Sequence, residues 1–284
     1  MGRVGKVLLA ILLILLILFV GLYFAIFRTS TDIATLNIKQ QKVEVNTGGG
    51  WGGATDTKLS VSDMVKTLDG KALVILYESV LINMKENTQI TVQDLRKEKP
   101  TVKQQSGTTW SKFTGLSGIE SYEVQTPNTV ATVRGTSFLS KVDDTSSIFI
   151  AGEGSVDLLS DNRQLTISAG EKAIKKGEEP IQKVPLTAEE REELVALMKE
   201  TLQDLKDLRK KEIQKHRTIL NRAMKQYDLT EMDLDNYLDM IDRGELDDAE
   251  LIEKSPVKLE AMNKIKKIND EIKKQQRAID NISR

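Results

Sequence analysis

The chain has 284 residues, with 41 Lys and Arg against 42 Asp and Glu and a pI near 6.1. No overall positive field exists to attract a phosphate backbone, so nucleic acid is not an expected partner. Because there is no cysteine, disulfides, thiolate nucleophiles and thiolate zinc sites are all excluded.

The first element in chain order is the uncharged run VLLAILLILLILFVGLYFAIF, residues 7–27. As a helix it would measure about 31 Å, the thickness of a bilayer core, so it reads as a transmembrane helix in contact with membrane lipid. No small-x-small cleavage pattern follows it, which favours a retained anchor over a signal peptide. Phe19, Tyr23, Phe24 and Phe27 would mark its outer interface. Only Met1 to Lys6 precede the run, too little for a domain. The bulk of the chain is therefore expected outside the cytoplasm, on a single-pass protein of the cell membrane.

From about Thr35 to Ile174 short runs of Val, Ile, Leu and Thr alternate with Gly, Asn, Asp and Ser, the texture of many short strands. Strands are expected at Ala72–Tyr77, Val80–Met84 and Gln89–Val92. A second set is expected at Glu120–Gln125, Thr129–Val133, Thr136–Val142, Ser147–Ala151, Ser155–Leu159 and Gln164–Ser168. No helix-period segment separates them, which disfavours a parallel sheet with crossover helices and leaves an all-β roll, sandwich or short β-solenoid.

Within this region VQTPNTVATVRGTSF, residues 124–138, resembles the signature of the FecR-domain family, where a TP-x-A segment leads into V-R-G-T-x-F. The upstream LSVSDMVKTLDGKALVIL, residues 59–76, is similar to the family's lead-in, with Ser62 standing where the family usually has Gly. Ala169-Gly170-Glu171-Lys172-Ala173 resembles its closing turn. Thr126, Pro127, Val133, Arg134, Gly135, Thr136 and Phe138 are the matching signature positions, expected to be structural. Arg134 offers five donors in a planar fork and is expected to tie strand-end carbonyls or pair with Asp157 or Glu171, while Gly135 permits a bulge. The resemblance implies a binding, scaffolding or signalling module. FecR-type regulators signal through a cytoplasmic N-terminal domain, for which residues 1–6 leave no room.

Gly48-Gly49-Gly50-Trp51-Gly52-Gly53 is not followed by Gly-Lys-Ser/Thr or by a helix pattern, so it is not a phosphate cradle. It reads as a strand connection, and Trp51 is the candidate partner contact, an aromatic displayed for a protein or a glycan.

After Pro180 and Pro185 the pattern becomes helical. Thr187-Ala188-Glu189-Glu190 is a capping box opening a helix with an apolar stripe to about Tyr227. Thr230 would cap a short helix ending at Gly244, and Ser255-Pro256 would open a last helix running to about Ile282. In it Ile265, Ile268, Ile272, Gln275, Ile279 and Ile282 form an a/d seam that needs a partner, either the first long helix as an antiparallel hairpin or a second copy in a coiled coil. The acidic stretch from Asp228 to Glu253 lacks the spacing of a calcium loop and reads as a solvated face.

The expected organisation is thus a tail and transmembrane anchor over residues 1–28, a FecR-like β domain over 29–178 and a charged helical region over 179–284. The sole histidine, His216, has no sequence-adjacent nucleophile or metal partner. No catalytic, cofactor or metal residue is assigned and no enzyme activity is expected; the alternative is an envelope polysaccharide binder or hydrolase using Trp51 or Trp110. Partners are an envelope protein or glycan, or a second copy through the C-terminal helices.

Overall fold

Alternating apolar and polar side chains give a strand one buried and one outward face, and residues 130–133 follow that pattern strictly. In the computed structural model, which describes residues 33–218, 230–246 and 260–283, this pattern organises the β region. The strands are β1 (Ala34–Gln40), β2 (Val43–Asn46), β3 (Trp51–Gly53), β4 (Thr57–Lys58), β5 (Met64–Thr67), β6 (Lys71–Leu76), β7 (Val80–Met84), β8 (Gln89–Asp94) and β9 (Thr101–Phe113). They continue as β10 (Tyr122–Gln125), β11 (Val130–Val133), β12 (Ser137–Val142), β13 (Ser146–Glu153), β14 (Ser155–Ser160), β15 (Arg163–Ser168), β16 (Lys172–Lys176) and β17 (Gln182–Val184).

Two sheets face each other and share β9. One runs β4-β1-β6-β7-β9-β12-β13-β16-β17. The other runs β3-β2-β5-β8-β9-β10-β11-β14-β15. Every pairing is antiparallel except β9 with β10. The first half of β9 pairs in the second sheet and the half from Gly107 onward in the first. Gly107 is the hinge of that passage, with φ +86, and a Cβ there would lie 2.4 Å from Thr88 Cα. Between the sheets lies the main core, with Phe113, Tyr122, Phe138 and Phe149 among its largest members.

Three helices follow: α1 (Ala188–Lys215), α2 (Glu231–Asp242) and α3 (Glu260–Ser283). The capping box at the start of α1 is complete, since Glu190 N–H donates to Thr187 Oγ1 at 3.2 Å and Thr187 N–H to Glu190 Oε2 at 2.9 Å. Leu194, Leu197 and Met198 of α1 meet Ile279 and Ile282 of α3 over Trp110, Leu139 and Ile150 of the first sheet. Farther along, Leu205 and Leu208 meet Ile268 and Ile272. The start of α1 therefore lies beside the end of α3, and the apolar seam of α3 is closed by α1 and the sheet together. We call the sheet beneath the helices the covered sheet and its counterpart the open sheet.

The expected fold class requires correction. It included a transmembrane helix, yet among the described residues no helix is long and apolar enough to cross a membrane. The described helices are studded with Glu, Lys and Arg on their outward faces, a pattern that belongs in water. The run assigned to the span, residues 7–27, lies outside the described residues.

Candidate partner-binding surface

The signature positions gather at one end of the sandwich. Thr126 and Pro127 begin the turn between β10 and β11. Pro127 is exposed at the tip, while Thr126 N–H donates to Thr129 O at 2.8 Å and Thr129 N–H to Thr126 Oγ1 at 3.1 Å. Val133 ends β11 in the open sheet and Phe138 lies in β12 of the covered sheet, so Arg134-Gly135-Thr136 is the corner between the sheets. Gly135 sits at φ +61, a conformation that favours glycine. Thr136 is buried, and its hydroxyl donates to Ser155 O at 2.9 Å across the neighbouring crossover, where Gly154 has φ +68. Phe138 packs tilted on Tyr122, with ring centroids 6.4 Å apart.

Arg134 does not do what the sequence suggested. Its side chain is exposed and makes no ion pair or hydrogen bond among the described residues. The two acids offered as its partners are engaged elsewhere, Asp157 by Thr166 and Glu171 by Lys183. The corner is tied by backbone and by α3 instead, because Lys274 Nζ donates to Gly135 O at 3.2 Å and pairs with Glu153 at 2.7 Å.

Glu153 is the centre of a buried charge cluster. The Lys112 ammonium, 0% exposed, lies 2.5 Å from Glu153 and 3.1 Å from Glu271 of α3. Burial opposes ionisation of Glu153, but Lys112 and Lys274 outweigh it and hold its carboxyl below the ordinary value. A second cluster joins Asp204 of α1 to Lys39 at 2.7 Å and to the Asn83 amide at 2.8 Å; here burial wins and the Asp204 carboxyl titrates above its ordinary value. At the β6–β7 turn Glu78 takes Lys215 at 2.6 Å and also Lys264. The helices are thus fixed to the covered sheet by charge as well as by apolar packing.

Residues 63–157 match the family model for the FecR protein. This segment is a FecR domain. The FecR match runs from just before β5 into β14, so β1–β4, β15–β17 and the helices lie beyond it. Two crystal structures of a proposed anti-sigma factor from Parabacteroides distasonis ATCC 8503 are similar to parts of the chain. The 2.50 Å structure has 16% identity and a TM-score of 0.40, covering 44% of this chain and 61% of that one. The 1.65 Å structure has 18% identity and a TM-score of 0.35, covering 47% and 61%. The chain therefore spans less than two thirds of either. No curated protein gives a significant match.

With the covered sheet occupied by α1 and α3, the outer face of the open sheet is bare among the described residues. Register places Trp51, Asn46, Met64, Thr91, Lys103, Gln125, Val130, Leu159 and Gln164 in one row across it. At ordinary strand spacing that row is about 38 Å long. Trp51, 41% exposed, begins it and Leu159, 50% exposed, stands one strand from its other end, with polar Thr91, Lys103 and Gln125 between them. Trp51 does not sit on a loop tip: the glycines form a hairpin turn pinned by Asn46 Oδ1, which accepts from Gly48 N–H at 2.9 Å and Gly50 N–H at 3.2 Å, and Trp51 starts the edge strand β3. The Lys66 ammonium lies 5.9 Å from its ring centroid. Trp110, the other tryptophan offered for contact, is fully buried and donates from Nε1 to Thr201 Oγ1. Sequence reasoning missed this row because its members lie on separate strands and meet only through register.

Proposed function

We propose that the chain is a non-enzymatic binding module of a signalling or regulatory assembly, and that the open sheet's outer face receives a protein partner. The FecR domain supports the regulatory reading. The observation that carries the choice of surface is the unequal treatment of the two sheets: α1 and α3 close one outer face, while the other presents an ordered row ending in an exposed indole. Interfaces concentrate their energy in such aromatic anchors within a polar surround. The FecR domain also favours association with a membrane, which cell fractionation would test.

The test is a photo-crosslinking residue placed at Trp51 or Thr91 in the full chain and activated in living cells. The proposal expects a discrete protein adduct from these positions and none from Lys199 or Arg277 on the helices; adducts confined to the helices would overturn it. A second reading, glycan recognition, is favoured by the exposed Trp51 ring with Lys66 beside it. Binding on a glycan array that is lost in Trp51→Ala would select it.

A further inference from the structure

The described edge strands are β4 and β17 in the covered sheet and β3 and β15 in the open one. An edge exposes unpaired backbone groups, and a charged side chain placed on it deters another chain from pairing there. Lys58 in β4, Lys183 in β17 and Arg163 in β15 supply such a charge. β3 supplies none, and neither does any residue from Val45 to Thr55. Its backbone is open to pairing. Ala54 N–H donates to Val43 O, which makes Val45 and Gly52 the hydrogen-bonded pair between β2 and β3. The N–H and C=O groups of Trp51 and Gly53 consequently point away from β2, and no hydrogen bond takes them up among the described residues. Glycine weakens a strand, yet neither Gly52 nor Gly53 has a left-handed φ, and a Cβ on either would meet nothing within 4 Å. Nothing in the described chain requires glycine at these positions; a backbone or ring brought close from outside would.

We propose that β3 pairs with the β3 of a second copy of this chain, antiparallel about a twofold axis at Gly52. In that register Trp51 stands opposite the partner's Gly53, and their outward N–H and C=O groups satisfy one another. Opposite residues share a face, so each exposed indole lies across the place where the facing strand lacks a side chain. One strand carries both the knob and the hole, as a twofold contact requires. The pairing is separate from the protein partner proposed for the open face. Thr91, three strands from β3, reports that partner and is untouched by an edge contact, so either reading fails without the other.

The chain has no cysteine, so one introduced thiol reports the contact. Residues facing each other at the axis of such a pair lie about 4.5 Å apart between Cα atoms, within disulfide range. Mild oxidation of full-length Gly52→Cys should give a disulfide-linked dimer, on the order of tenfold more than Lys103→Cys, an exposed position on the interior strand β9. Adding Gly53→Val fills the hole with a residue that favours strands; it should abolish the dimer without lowering the melting temperature. Adding Trp51→Ala instead removes the knob and should abolish the dimer as well. Equal crosslinking at positions 52 and 103, or a dimer that survives either added substitution, would overturn the assignment.

Discussion

Trp110 Nε1 donates to Thr201 Oγ1 at 2.6 Å, joining the second half of β9 to the middle of α1 through two fully buried side chains. Gly152 makes room for the indole, since a Cβ there would lie 2.5 Å from the ring. Thr201→Val keeps the shape but strands the indole N–H, so a loss of about 1–3 kcal/mol is expected. Thermal or chemical denaturation of the single variants and of the pair with Trp110→Phe measures the coupling; additive effects would show that the bond contributes nothing specific.

Lys112 has no access to water, and its charge is balanced by Glu153 from the sheet and Glu271 from α3. Lys112→Met leaves Glu271 without its buried partner and Glu153 with Lys274 alone, and is expected to destabilise by about 3–5 kcal/mol. Adding Glu153→Gln and Glu271→Gln should restore much of that loss. A single variant as stable as the parent would mean that the cluster is open to solvent.

Ser62 occupies φ +76, a left-handed conformation that disfavours a side chain. It stands where the sequence resemblance led us to expect glycine, and the backbone supplies the reason. Ser62→Gly should stabilise by about 1 kcal/mol after the entropic cost of glycine is deducted. An unfolding midpoint unmoved or lowered in urea contradicts the strain.

The helix-to-sheet contacts are acid-sensitive. Burial opposes ionisation of Glu78, Glu153 and Glu212, yet their lysine partners hold each carboxyl below its ordinary value of 4.5. Their contribution to stability is therefore complete above about pH 4.5 and lost as pH falls through the depressed values. Asp204, raised by burial, works the other way and is relieved by protonation. Three carboxylates outweigh one, so the melting temperature should be level near neutrality and fall below about pH 4.5. A rise on acidification would show that the buried Asp204 dominates.

Much of the β region was legible because alternation survives in its short strands. Val80–Met84 coincides with β7, and Tyr122–Gln125 and Ser155–Ser160 fall within a residue or two of the expected spans. The capping box at Thr187 and the stop at Gly244 were read from local chemistry and are seen, the latter at φ +73. The longest strand, β9, was not foreseen: QQSGTTWSK carries few apolar residues, since it passes from one sheet to the other at Gly107 and its outward Trp110 and Lys112 serve the helices. Arg134 misled because a residue's chemistry does not reveal whether a corner turns it outward. The candidate surface depends on cross-strand register, for which one sequence without its pairings holds no signal.

The division of labour between the sheets is tested most directly by hydroxyl-radical footprinting of the full-length chain in its native assembly and after release. Protection of Trp51, Met64 and Leu159, with unchanged labelling of Val195 in α1 and Ala278 in α3, is the predicted result. Protection restricted to α1 and α3, with Trp51 labelled equally in both states, would contradict it.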